Sequence, residues 1–147
     1  MVRHKFASLF AAAAKMAAIA ARAPEAQWSQ WEAFGEWLGL AVRIRREVRH
    51  CEQSERLRNR IQRQDLLLPM LTLAQRSRRD TEGLFSDIQQ SAQRDDELIA
   101  LLQTPDVREP LKQRVQAYWK HAHAALPEPY QAAPLWAQWE AHLMEGW

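Results

Sequence analysis

Apolar side chains recur at helical spacing along almost the whole chain, and prolines mark where one run ends and the next begins. The 147 residues include seven prolines and only four glycines, and the strong helix formers Ala, Leu, Gln, Glu and Arg are abundant. Few residues are β-branched, so strands have little support. We therefore expect an all-α fold, a single-domain bundle of five to six helices with its own hydrophobic core.

The pattern divides this single helical domain, residues 1–147, into four stretches. Residues 1–23 predict an Ala-rich amphipathic helix, and residues 25–79 a basic helix pair. Residues 80–126 predict acidic helices, and residues 134–147 a Trp-rich terminal helix. The first helix has apolar residues at i, i+3 and i+4 spacing, which are Phe6, Leu9, Phe10, Ala13, Met16, Ala17, Ile19 and Ala20.

The second helix, from about Glu25 to His50, is expected to bury one arc of side chains and to end in a break. Beyond Cys51 the apolar stripe is rotated by more than about 100°, so we place the break at His50–Ser54, with Ser54 as the N-cap of the next helix. The buried arc consists of Phe34, Trp37, Leu40, Ala41, Ile44, Val48 and Cys51, and the pair Gly35 and Gly39 could let another helix approach closely.

Prolines and caps set the remaining boundaries. The third helix is expected to run from about Glu55 to Arg79, with Pro69 kinking or dividing it. Asp80 is a candidate N-cap for the fourth helix, and Pro110 is expected to start a fifth that ends near Leu126.

The N-terminus and the cysteine count bear on location. Arg3 and Lys5 precede the apolar run 6–14, which gives the outline of a secretory signal, and the lack of acids before Glu25 also allows a transit peptide. Lys15 interrupts the run, so we expect a retained amphipathic helix that is too short to span a bilayer. Cys51 is the only cysteine, which favours a reducing, cytoplasmic location.

Charge is concentrated in the middle of the chain. Residues 43–79 hold eleven arginines and four acids, a net charge of +7, whereas residues 80–147 sum to −6 and residues 1–42 to +1. Arginine binds phosphate in two-point fashion and keeps its charge. Equally spaced arginines on one helix repel each other, so a polyanion is their natural partner. The predicted nucleic-acid-binding residues are Arg45, Arg49, Arg56, Arg60, Arg63, Arg76, Arg78 and Arg79.

Two other partners for these arginines stay open. They can form salt bridges with the acidic C-terminal third, in the same molecule or between subunits, or contact a membrane surface or other anions. No zinc-finger, RRM or zipper pattern is present, and a helix-turn-helix around Arg43–Arg63 would lack the usual turn glycine. Backbone recognition without base specificity fits better.

Tryptophans form a second candidate surface. Residues 28–33 (WSQWEA) and 136–141 (WAQWEA) match at five of six positions. The match is explained either by a duplicated docking helix or by two helix starts that pack into the same core, and the second explanation is favoured. The predicted partner-docking residues are Trp28, Trp31, Trp136, Trp139 and Trp147.

No catalytic, metal or cofactor signature is present. His121 and His123 are two residues apart, so a helix would place them on nearly opposite sides. The chain has no phosphate-cradling glycine loop and no nucleophile–base order. We expect no enzyme, no metal and no cofactor.

One short segment resembles a known family. Residues 60–65 (RIQRQD), with Met70 and Arg76, are similar to the basic helical segment of the PriC family of primosomal replication proteins, small helical proteins that help reload a helicase at forks. The resemblance covers about twenty residues. Leu67, Leu68 and Pro69 replace basic positions of that family, and its basic C-terminal helices are acidic here, so it does not amount to membership.

The leading hypothesis is therefore a small non-catalytic helical subunit that binds nucleic-acid backbone, RNA or DNA, within a larger nucleoprotein complex. Effector-complex small subunits and replication accessory factors share this profile of size and charge. The alternative is a protein–protein adaptor or assembly subunit that docks other subunits or a second copy of itself through the Trp-rich helices, while its arginines pair with acidic protein surfaces.

Overall fold

In a computed structural model, the chain is described for residues 2–63, 65, 67–77 and 95–147, and its side chains for these residues except 2–4, 54, 61, 62, 76, 77, 95 and 96. All regular structure in these ranges is helical, which confirms the predicted all-α class. The elements are α1 (Val2–Ala20), a 3₁₀ turn (Glu25–Gln27), α2 (Trp28–Cys51), α3 (Ser54–Gln62), α4 (Leu68–Ser77), α5 (Asp95–Leu102), α6 (Pro105–Ala125), α7 (Glu128–Gln131) and α8 (Leu135–Met144).

The chain divides into two compact units. The first combines Met1–Arg43 with Lys112–Trp147, and the second is Ile44–Leu111. Of the sequence predictions, the Asp80 cap and the first part of the predicted fourth helix lie outside the described residues.

In the first unit, α1 packs tightly on α2 at the two glycines. A Cβ atom built on Gly35 would collide with the Phe10 carbonyl oxygen and lie 2.8 Å from Ala11 Cα, and one on Gly39 would lie 2.9 Å from Phe10 Cβ. The absence of side chains at these positions therefore sets the distance between the helices. The predicted close approach at the Gly35/Gly39 pair is confirmed.

The face of α1 that meets α2 differs from the apolar stripe in the sequence. Ala7, Ala11 and Ala18 are buried, whereas Leu9 and Met16 are each 68% exposed. Alanines and Phe10 lie against the glycines of α2. Leu9 and Met16 lie on the other side of α1 and point outward.

Aromatic rings fill the rest of the first unit's core. Phe34 is buried with Ala122 and Leu126. The rings of Trp31 and Trp136 both pack edge-on against Phe34, with centroid distances of 5.9 and 5.3 Å.

The second unit has an aliphatic core. The end of α2 contributes Ile44, Val48 and Cys51, as the predicted arc required. Leu57 of α3 and Met70 of α4 are completely buried, and α5 packs against both of these helices. This core holds the last turns of α2 beside α3, which positions the arginines of both helices.

Several boundaries differ from the prediction. The break between α2 and α3 lies where it was expected, but the next division falls between Gln62 and Leu68, before Pro69. Pro69 lies in the first turn of α4, where a missing N–H costs nothing. Pro110 does not start a helix, since α6 begins at Pro105 and continues through it.

Candidate nucleic-acid interface

Five arginines of the second unit come from the last two turns of α2, from α3 and from the turn that follows α3. Arg46, Arg49, Arg56 and Arg63 are exposed, and Arg60 is half-buried. We call these five residues the α2–α3 basic surface. They are brought together because α2 ends at Cys51 and α3 begins three residues later at Ser54.

Local geometry aligns the arginines of α3. Arg56, Arg60 and Arg63 follow i, i+4 and i+7 spacing, which places them within about 60° on one side of the helix. The Asp65 N–H donates to the Arg60 carbonyl at 2.9 Å, and the Arg63 N–H donates to the Asn59 carbonyl at 3.3 Å. These bonds close the last turn, so Arg63 continues the row formed by Arg56 and Arg60.

Arg45 does not belong to this surface. It is the one buried charged residue among those described, at 7% exposure, so it cannot reach a bound polyanion in this conformation. Its neighbour Arg46 is exposed instead. The prediction chose Arg45 for its alignment with Arg49 on a continuous helical wheel, whereas the fold buries Arg45 and leaves Arg49 exposed.

The remaining predicted basic residues lie beyond what the structure describes. The backbone of Arg76 belongs to α4, but its side chain is outside the described set, as are both Arg78 and Arg79. They stay predictions.

Three carboxylates of the same region form ion pairs or hydrogen bonds within the second unit. Asp65 pairs with Arg60 at 2.8 Å, and Glu52 pairs with Arg108 at 2.9 Å. Glu47 accepts a hydrogen bond at 2.8 Å from the Leu68 N–H at the start of α4. Asp65 thus neutralises one arginine of the surface, Arg60, while Glu52 and Glu47 hold groups outside it.

The four exposed arginines of the surface, Arg46, Arg49, Arg56 and Arg63, form no ion pair with any residue that the structure describes. The sequence left open that they pair with the acidic C-terminal third. In the described part of the chain, Arg108 of that third binds Glu52 of the basic segment.

The arginines of this surface affect the protonation of His50. Burial of the imidazole lowers the pKa of His50 from its ordinary value of 6.5. Three arginines lower that pKa further by repulsion, in the order Arg60, Arg46 and Arg56. Glu47 acts in the opposite direction. The two helices therefore concentrate positive charge around one ring.

Sequence reasoning missed two members of this cluster, although a signal existed. Arg43, Arg46 and His50 lie at i, i+3 and i+7, on the side of α2 away from Ile44, Val48 and Cys51. Choosing the basic residues opposite the apolar arc would have selected Arg46 and His50. The Arg108–Glu52 pair joins residues 56 positions apart, and no local pattern marks it.

Cys51 is unsuited to chemistry. It is 3% exposed, and burial raises the pKa of its thiol to about 12, with smaller contributions from Glu47 and Glu52. The thiol therefore stays protonated at neutral pH, and a thiolate is the form that reacts or binds metal.

Most of the predicted docking tryptophans are used inside the first unit. Trp28 donates its indole N–H to the Ala23 carbonyl at 3.1 Å, and Trp147 donates to the Leu143 carbonyl at 3.0 Å. Trp31 and Trp136 flank Phe34, and Trp136 also donates to the Tyr130 carbonyl. Trp139 alone among the five is exposed, at 41%.

The two matching hexamers do not occupy equivalent positions. Trp31 is the second tryptophan of the first hexamer, whereas Trp136 is the first of the second, yet both contact Phe34. A duplicated docking helix would place corresponding residues in corresponding surroundings. The geometry favours two helix starts that converge on one core.

The histidines of α6 have separate local contacts. The His121 ring lies 4.8 Å from the Trp37 ring, and His123 Nε2 lies 2.9 Å from the Gln131 carbonyl oxygen. In the described ranges, no three His, Cys, Asp or Glu residues are grouped as metal ligands. None of the described helices is long and apolar enough to cross a membrane.

Comparison with known proteins gives no match: no family model, no curated protein and no solved structure aligns significantly with this chain. The short resemblance around RIQRQD therefore gains no support from these comparisons. The case for function rests on the geometry and charge of the α2–α3 basic surface.

Proposed function

We propose that this chain is a small non-catalytic helical subunit of a cytoplasmic nucleoprotein complex, and that it binds the nucleic-acid backbone through the α2–α3 basic surface. The observation that carries this proposal is the exposure of Arg46, Arg49, Arg56 and Arg63 without an ion pair to any described residue. A folded protein gains nothing from such a cluster alone, because like charges at helical spacing repel.

A polyanion removes that repulsion. Guanidinium groups bind phosphate oxygens in two-point fashion, and each contact releases counterions from the nucleic acid. The surface consists of guanidinium groups beside the partly buried ring of His50, and guanidinium groups bind the phosphate oxygens that every nucleotide carries. Backbone contacts position a protein on nucleic acid without specifying sequence.

Paired charge reversal tests this proposal. Arg56→Glu/Arg63→Glu should lower affinity for a labelled nucleic acid at low salt by at least about 100-fold, because two attractive contacts become repulsive. The matched control is Arg114→Glu/Lys120→Glu, which changes net charge equally at two exposed positions of α6. Equal loss of affinity in both variants would show only a net-charge effect and would contradict a defined surface.

A protein–protein adaptor is the second candidate, and one observation favours it. Leu135 and Trp139, one turn apart on α8, are 51% and 41% exposed, and exposed apolar neighbours of this kind can dock a partner subunit. This exposed apolar surface contains fewer tryptophans than the sequence predicted, because the other four predicted tryptophans make packing contacts or hydrogen bonds within the first unit. An adaptor would leave the wild-type protein without measurable nucleic-acid affinity at low salt.

A further inference from the structure

We infer that the α2–α3 basic surface takes duplex nucleic acid, held along its sugar–phosphate backbone, in preference to single strands. This inference rests on the proposed function and adds the class of its ligand. It follows from where the chain places its arginines and where it places its aromatic rings.

Single-strand binders combine a basic groove with aromatic side chains on which successive bases stack, and each stacked base contributes substantially to affinity. Residues 43–84 contain no Phe, Trp or Tyr. All described Phe, Trp and Tyr residues belong to the first unit. The arginine-rich segment therefore has no stacking platform of its own.

His50 is the only aromatic ring within this segment, and it is poorly placed to stack. Its side chain is partly buried, and burial together with the positive charges of Arg60, Arg46 and Arg56 lowers its pKa. A base could stack on this imidazole only by reaching a partly buried ring.

What the surface does offer is a fixed array of charge. Arg56 to Arg63 extends about 10 Å along α3, and the Asp65 carboxylate holds the Arg60 guanidinium at 2.8 Å within that row. A duplex presents phosphates at fixed positions, with one charge per about 1.7 Å of axis. A flexible single strand has to be ordered on the same array without stacking to offset the lost entropy.

Competition between matched probes tests the inference. A labelled blunt duplex of about 20 base pairs and an unstructured oligothymidine of equal length are titrated at the same low salt, with duplex RNA as a further arm. We expect either duplex to bind at least about tenfold more tightly than the single strand, because single strands release fewer counterions per phosphate and find no stacking partner here.

The outcomes separate this inference from the function on which it rests. Equal or tighter binding of oligothymidine overturns the duplex preference and leaves backbone binding in place. Absence of binding to every probe at low salt removes both. Duplex affinity that is unchanged in Arg56→Glu/Arg63→Glu, with the helical signal retained, also overturns the inference, since the duplex would then bind elsewhere.

Discussion

His50 and Cys51 are consecutive residues with opposite surroundings. The thiol faces the aliphatic core, where burial and two acids raise its pKa to about 12. The imidazole lies on the arginine side, where burial and three guanidinium groups lower its pKa. One turn of α2 thus separates the hydrophobic core from a strongly positive surface.

The lowered pKa of His50 predicts how stability depends on pH. Because the unfolded chain binds a proton near pH 6.5 and the folded protein resists it, this contribution to stability is present above that pH and is lost as pH falls towards the folded pKa. His50→Gln should therefore lose less stability than the wild type between about pH 7.5 and about pH 5.5. Urea denaturation of both proteins at the two pH values measures the difference.

All other titrating groups are common to the two proteins, so the comparison isolates the imidazole. A matching control is His142→Gln, whose exposed ring lies on α8. Identical pH dependence in wild type and His50→Gln would contradict the arrangement of Arg46, Arg56 and Arg60 around the ring.

The difference between Arg45 and Arg46 shows what the sequence could not decide. Both are arginines on the same turn, and only the position of the core assigns one to the interior and the other to solvent. The apolar arc through Ile44, Val48 and Cys51 contained that information. The prediction instead aligned Arg45 with Arg49 on a continuous helical wheel and did not use the position of this arc.

Helix boundaries and helix faces differ in how far the sequence determines them. The rotation of the apolar stripe correctly placed the break between Cys51 and Ser54, because a helix cannot bury two opposed stripes in one core. The inward face of α1 was not predictable in the same way. That helix has two apolar sides, and contact with Gly35 and Gly39 selects the alanine side over Leu9 and Met16.

Contact between α1 and α2 predicts the effect of adding one methyl group. Gly35→Ala should destabilise the protein by about 1 to 2 kcal/mol, because overpacking outweighs the gain in helix propensity. The new Cβ would meet backbone atoms of Phe10 and Ala11, which cannot rotate away as a flexible side chain could. Thermal or urea unfolding gives the difference in free energy.

Ala12→Leu is the control, since Ala12 lies on the exposed side of α1, and it should change stability by less than about 0.5 kcal/mol. Stabilisation by Gly35→Ala, as expected for a glycine in a freely exposed helix, would mean that α1 does not pack on Gly35.

Charge and aromatic residues are divided between the two compact units. The first unit contains the described Phe, Trp and Tyr residues and the contacts of four of the five predicted docking tryptophans. The second contains the α2–α3 basic surface. The sequence predicted both clusters, but the tryptophans serve mainly to build a core, whereas the arginines stay available to a ligand. We propose that these arginines bind phosphate.

The salt dependence of duplex binding measures how many phosphate contacts these arginines make. Four phosphate contacts predict that log K falls against log salt with a slope of about −3 to −4 for a labelled duplex between about 50 and about 200 mM salt. Neutralising two contacts in Arg56→Gln/Arg63→Gln should reduce the slope by about 2. An affinity that does not change with salt, or a slope that is the same in the variant and the wild type, would contradict the account.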